Sequence, residues 1–280
     1  MHISQLWTYP VKSMQGVLVQ SADLHELGVV GDRQWALRDV ERDHLANCRQ
    51  TPGIMSLSAA VEADGLHVAI TLDDGRTVSS SDASVHEVLS LALGRQVELV
   101  SLAPPDDLDF FRRKPSPEPP ADPMAELRGI FGREGDEPLP DFAKFGPGVL
   151  EFESPPGSFH DCFPLMVMST SALRSMALAV PGSVIDVRRF RPSFVIDTGD
   201  EPGHPEFGWA GRRFAIGTAV IEVVNDCPRC AAITRPIGPG IPADRDILRH
   251  VVRDLGQAVG VYCNVVQPGT ITTHSPVTPL

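Results

Sequence analysis

The sequence predicts a mainly β protein with α+β character, in which a few helices pack against many short strands. Three observations predict it. The 280 residues include 26 prolines and 24 glycines, a composition that favours short elements joined by turns. Hydrophobic residues make up 42%, enough to bury a sizeable core and too many for a disordered chain. Strand-length apolar runs recur along the chain, whereas helical spacing is confined to a few stretches.

The elements follow in order. The stretches "ISQLWTYPV" and "GVLVQSADL" read as strands on either side of a "KSMQG" turn. "RQWALRDV" alternates, with Trp35 and Leu37 on one side. "HVAITL" and "RTVSS" read as a hairpin closed by Asp74-Gly75, a favoured two-residue turn. "DASVHEVLSLALG" reads as a helix capped by Ser81 or Asp82 and ended by Gly94. Residues 104–157 break the pattern: proline and charge are dense, and one short helix is expected near "PMAELRGIFG". An irregular excursion of that length is usually a linker or a functional lid.

Regular structure resumes at Phe159. "FPLMVMS" predicts a buried strand, and "TSALRSMALAV" a helix capped by Ser169 or Thr170. "FRPSFVID" predicts a strand, and "RRFAIGTAVIEVV" two strands about Gly217. "DRDILRHVVRDLGQA" places Ile247, Leu248, Val251, Val252 and Leu255 on one helical face ending at Gly256. "GVYCNVVQPGTI" predicts closing strands around a Pro-Gly turn.

The net charge of −12 excludes a global basic field of the kind that binds nucleic acid and leaves room only for a local cationic pocket. No apolar run approaches the roughly 20 residues of a membrane span. The N-terminus lacks a secretory signal pattern, so a soluble, cytoplasmic protein is expected. The five cysteines, Cys48, Cys162, Cys227, Cys230 and Cys263, are scattered and odd in number, so reduced thiols are expected in place of a disulfide framework.

Cys227 and Cys230 form a C-x-x-C pair after an alternating apolar run. Structural zinc needs four ligands, and the pair supplies two. A thioredoxin-like dithiol needs a following helix, whereas prolines and glycines follow here. One thiolate can instead ligate a soft metal, with Arg229 holding a thiol deprotonated. Both cysteines can also be small buried hydrophobes. Spacing alone leaves these readings open.

Five stretches taken together resemble the MOSC proteins, named for the C-terminal domain of molybdenum cofactor sulfurase. They are "LWTYPVKSMQG", "LGVVGDRQWALRD", "RFRPSFVID", "DCPRCAAIT" and "QPGTITTHSPV". The order and separation are similar to the subgroup that carries a MOSC N-terminal β-barrel domain and includes the mitochondrial amidoxime-reducing component and bacterial relatives. The resemblance implies an N-terminal β-barrel domain over 1–103, the excursion over 104–157, and a MOSC β-barrel domain with peripheral helices over 158–280. It implies the molybdenum cofactor (Mo-molybdopterin), with Cys230 as metal ligand and Cys227 as an inert neighbour. Lys12, Ser13, Arg33, Arg191 and Ser193 would hold the phosphate and pterin. Asp161, or the adjacent His160, would supply a proton.

The implied activity is reduction of a small N-hydroxylated substrate such as an amidoxime, hydroxylamine or N-oxide. Electrons would come from a separate flavoprotein or ferredoxin. The alternatives are a carrier of sulfur or cofactor using a Cys230 persulfide, and a cofactor-free MOSC fold acting as a binding module or in other chemistry. The chain departs from the family pattern at Ser193, where asparagine is usual, and at Cys162-Phe163, where the animal proteins have Thr-Ser.

Overall fold

The computed structural model describes residues 1–51, 53–115, 120–145, 148–238 and 240–280. Its largest sheet has eight strands. Their order is Val277–Pro279, Arg213–Ile216, Ala219–Pro228, Ala258–Gln267, Leu165–Ser169, Phe194–Asp197, His2–Thr8 and Val17–Leu18. Neighbours run antiparallel except Leu165–Ser169 and Phe194–Asp197, which are parallel. A parallel pair needs a crossover. The helix Thr170–Ala179 supplies it, and Ser169 Oγ caps that helix by accepting from Ala172 N at 2.9 Å.

The sheet curls into a half-barrel. Ile3 N donates to Ser275 O at 3.0 Å and His274 N donates to Ile3 O at 2.8 Å, which brings the first strand against the sheet's far edge. Ile3, Leu6, Val167, Phe194, Ile221 and Val261 fill the interior. The first strand of the chain is thus an integral strand of a sheet built mostly from the C-terminal half.

A second core lies under two three-stranded sheets. One is Val97–Ser101, Trp35–Asp39 and His44–Leu45; the other is Ser58–Val61, Val68–Thr71 and Thr77–Ser79. Leu37, Leu57, Ile70 and Leu89 fill this core, with Trp35 packed beside Leu37 as the alternation predicts. Ile237 and Ile241, from the segment after the cysteine pair, join it, so that segment is clamped between the two cores.

Two local expectations change. The hairpin turn holds three residues, Asp73 to Gly75, because Leu72 N bonds Arg76 O at 2.8 Å and Gly75 takes φ 84°. That is the type I turn with a glycine bulge, the next most favoured hairpin loop. The helix Val85–Leu93 starts one turn later than expected: Ser84 is its N-cap, and Asp82 instead accepts from Ser84 N at 2.8 Å. Gly94 ends it as expected, at φ 61°.

The 104–157 stretch folds back on itself and onto the body; its residues 116–119 and 146–147 lie outside the described residues. Arg113 N bonds Glu151 O, and Glu153 N bonds Phe111 O, both at 2.9 Å. The expected helix spans Pro123–Phe131, with Asp122 capping Met124 N and Ala125 N. Two residues later, Arg133 Nη2 donates to Arg229 O at 3.3 Å and Gln257 Oε1 at 2.8 Å, which ties the stretch to the cysteine turn. Among the described residues, no helix is long and apolar enough to cross a membrane.

Candidate active site

The first strand ends at Thr8, and the chain turns sharply through Lys12 and Ser13. Gly16 permits that turn, because a Cβ there would sit 1.8 Å from Thr8 O. Ser13 (φ 67°), Arg33 (φ 49°) and Arg191 (φ 56°) all adopt left-handed backbone conformations that favour glycine. Each costs about 1–3 kcal/mol, and such strain gathers where a side chain must be aimed. These three residues line one cavity.

That cavity has a volume of about 790 Å³ including its open mouth. Lys12, Ser13, Arg33, His160, Asp161, Arg191, Ser193 and Cys230 all line it. The structure therefore brings together every residue singled out above as a site residue, from segments more than two hundred positions apart.

Its cationic wall is built on Tyr9. The buried ring carries the Arg191 guanidinium 4.4 Å from its centroid and that of Arg33 at 5.2 Å. Such stacking holds each guanidinium plane in place. Buried Asp32 accepts from Tyr9 N and from Arg33 Nη1. Arg33 is thus both a partner of Asp32 and a lining residue. Among the described residues, Arg191 has no carboxylate partner of its own. Burial, and then repulsion from Arg33, lower its pKa to about 10. Its Nη1 is buried without a hydrogen-bond partner. A guanidinium with one buried, unmet donor is costly unless an anion meets it. A phosphate monoester is such an anion, so the residues present fit the phosphate-bearing cofactor.

Lys12 is buried. Its Nζ donates to Phe159 O at 2.9 Å and to Asp161 Oδ1 at 2.7 Å. Desolvation beside the protein body opposes charge on Asp161, but Lys12 and then Arg49 hold its carboxyl well below the usual carboxylate range, although its side chain remains largely exposed to solvent. His160 moves the other way for a base: burial, then Arg33 and Lys12, push it well below the usual histidine value. Its Nε2 is buried and unpartnered. At neutral pH Asp161 is therefore ionised and His160 neutral, and neither is poised to donate a proton. Ser193 is buried; its Oγ accepts weakly from Met166 N at 3.4 Å, which leaves its O–H to point elsewhere.

The two cysteines have different environments. Cys227 closes the long strand Ala219–Pro228 and is buried in the core under the helix Asp246–Asp254. Burial pushes its thiol up, although Arg229 opposes this. Arg229 Nη1 lies 3.1 Å from Cys227 Sγ, and its Nη2 donates to Phe190 O at 2.8 Å. The arginine between the cysteines therefore addresses Cys227 and not Cys230, although all three residues line the cavity. The cation beside Cys230 is Arg49, whose Nη1 lies 4.0 Å from Sγ. Nothing in the local pattern "NCRQTPG" signals that role. No disulfide joins the cysteines. Among the described residues, no three His, Cys, Asp or Glu side chains gather as a metal-binding group. A single thiolate suits a metal that arrives with other ligands already attached.

Cys230 also lines a second cavity of about 760 Å³ including its mouth. The two cavities share Asp161, Cys162, Pro228, Cys230 and Tyr262. Phe163, one of the departures from the family pattern, stacks against Tyr262 with ring centroids 4.9 Å apart.

The MOSC N-terminal beta barrel domain family matches residues 1–100, and the MOSC domain family matches residues 155–278. The chain is 22% identical over 308 residues to mitochondrial amidoxime reducing component 2 of Bos taurus, covering 98% of this chain and 82% of that protein. Among solved structures, the YUAD protein from Bacillus subtilis aligns with 99% of this chain and 94% of its own, at 10% identity and TM-score 0.41. YiiM from Geobacillus stearothermophilus aligns with 42% of this chain at 16% identity and TM-score 0.32. The chain spans about half of that structure, 54%.

Proposed function

The chain belongs to the MOSC proteins, with a MOSC N-terminal β-barrel domain preceding the MOSC domain, and from that premise we propose that it binds the molybdenum cofactor beside Cys230 and reduces N-hydroxylated compounds there. One observation carries the reading: the half-buried Arg191, whose buried Nη1 has no hydrogen-bond partner among the described residues, shares a cavity with Arg33, Lys12 and the Cys230 sulfur. Such a pocket, in a protein of net charge −12, suits an anionic ligand that also needs one thiolate.

In this reading Arg191 and Arg33 take the phosphate, with Ser13 and the Ser193 hydroxyl supplying neutral hydrogen bonds to the pterin side. Cys230 is the protein's ligand to the metal. When bound, the cofactor supplies two-electron oxygen-atom transfer. Net reduction turns an N–OH group into N–H and water, consuming two electrons and two protons. The electrons come from a separate donor protein, a flavoprotein or ferredoxin. Asp161 acts as an ionised partner that fixes Lys12, and the two protons come from water at the open mouth. Arg49 stabilises negative charge at Cys230, and His160 stays neutral as packing behind Lys12. The similarity to an amidoxime reducing component over nearly the whole chain supports the choice of N-hydroxylated substrates.

The test is reduction of an amidoxime by protein made in a host competent in cofactor synthesis, with a reduced viologen dye replacing the donor protein. Turnover that disappears in Cys230→Ala supports the reading. Equal turnover in that variant sinks it. Cofactor binding without turnover, or a gain of one sulfur on Cys230, would point to a carrier.

A further inference from the structure

We propose that the second cavity is the substrate chamber, and that the 104–157 stretch makes it selective for N-hydroxylated compounds with an aromatic skeleton. The proposal rests on the reading above for the reaction, but its chamber stands on separate observations. The two cavities meet at Cys230 and Asp161. The first is walled by cations suited to a phosphate. The second is walled by Phe131, Phe145, Val149 and Phe152 from the excursion, with Tyr262 opposite. Phe131 and Phe145 pack edge-on with centroids 6.0 Å apart, and Phe142 stacks on Phe145 at 5.6 Å, so the wall is a braced aromatic cluster.

The polar groups in this wall are already engaged in holding it. Arg113 Nη2 donates to Phe152 O at 2.9 Å and Val149 O at 3.2 Å. Glu153 Oε2 accepts from Leu45 N at 3.0 Å. The excursion's side of the chamber therefore presents mainly aromatic and aliphatic surface, which favours flat ligands through area burial and ring contacts, while Arg49 and Asp161 add charge where the chamber meets Cys230. Ser154 Oγ is the exception: it is buried, lines the chamber and has no hydrogen-bond partner. It can meet one polar atom of a bound compound. A ligand seated here presents its N–OH toward Cys230, where the two cavities join.

The test compares benzamidoxime with acetamidoxime, which share the reacting group and differ in aryl against methyl. Binding is read by ligand-detected NMR titration of the full chain without electron donor, so no turnover is needed. Wild type is expected to bind the aryl compound at least about tenfold more tightly. Phe145→Ala and Phe152→Ala should each lose about tenfold in aryl affinity while methyl affinity holds, which also controls for folding. Cys230→Ser should keep the aryl preference while losing reduction. Equal affinities in wild type, or an aryl preference untouched by both phenylalanine variants, would overturn the chamber. A preserved preference in a protein that never reduces amidoximes would leave the chamber standing and remove the proposed reaction.

Discussion

Replacing Arg191 by methionine separates the cost of the cationic pocket from its use. The guanidinium sits at about 10 instead of 12.5 because of burial and then Arg33. That displacement corresponds to about 3 kcal/mol against the charged form in the folded state. Methionine fills similar volume without charge. It forfeits the stacking on Tyr9, worth about 1 kcal/mol. The net expectation is a cofactor-free Arg191→Met protein more stable by about 2 kcal/mol, or about 3 °C in Tm for a chain of this size. The pH dependence has a definite sign. A lowered folded-state pKa means destabilisation that is fully present below about 10 and is relieved as pH rises through that value. The wild type should therefore close its gap to the variant only in alkaline solution. Inorganic phosphate, standing in for the phosphate monoester, should raise the wild-type Tm by mass action, about 2.7 kcal/mol at a hundredfold excess over Kd. It should leave the variant unmoved. The assay is thermal unfolding with and without phosphate between pH 7 and pH 11. A variant less stable than wild type without phosphate, or one that responds to phosphate equally, would refute the anion-pocket reasoning.

Other perturbations have equally specific outcomes. Tyr9→Phe removes a buried hydroxyl that has no partner and should be neutral or stabilising by about 1 kcal/mol in urea unfolding, whereas Tyr9→Leu removes the platform under both arginines and should abolish the phosphate response. Asp161→Asn should weaken the fold at pH 7 only modestly, since the side chain is 69% exposed. Asp161's lowered pKa makes that contribution present above the normal carboxylate range and lost as pH falls through its folded value, so the difference from wild type should shrink in acid unfolding. Cys227→Ala should cost about 1–2 kcal/mol of packing and of partner for Arg229, yet retain whatever metal the wild type holds. Arg133→Ala should release the excursion from Arg229 and Gln257, read as faster limited proteolysis within 104–157.

Much of this was legible in the chain because it is local. Strand alternation at Trp35 and Leu37, the Ser169 cap and the glycine stop at Gly94 are decided within a few residues. The residues proposed for the site came from motifs, since Lys12, Arg33, Arg191 and Cys230 each lie in a quoted stretch, and the fold brings them to one cavity. What was not legible depends on long-range contact. No periodicity near Ile3 says that its strand pairs with Phe194–Asp197 and meets Ser275. Sequence adjacency pointed Arg229 at both cysteines, but the end of a strand sends alternate side chains to opposite faces, and Arg229 follows Cys227 into the core. Arg49 reaches Cys230 from a loop 181 residues away. Beyond its short helix the excursion gave no regular pattern, because Phe145 and Phe152 join Phe131 through turns and irregular backbone.

The central claim is that the Cys230 cavity holds the molybdenum cofactor. It is tested most directly by metal and pterin analysis of protein purified from a host that makes the cofactor, beside Cys230→Ser and Cys227→Ala. The account predicts near-stoichiometric molybdenum and pterin in the wild type, retention in Cys227→Ala, and lost metal in Cys230→Ser. Wild-type protein with neither molybdenum nor pterin, or a Cys230→Ser variant that keeps its full molybdenum, would contradict it.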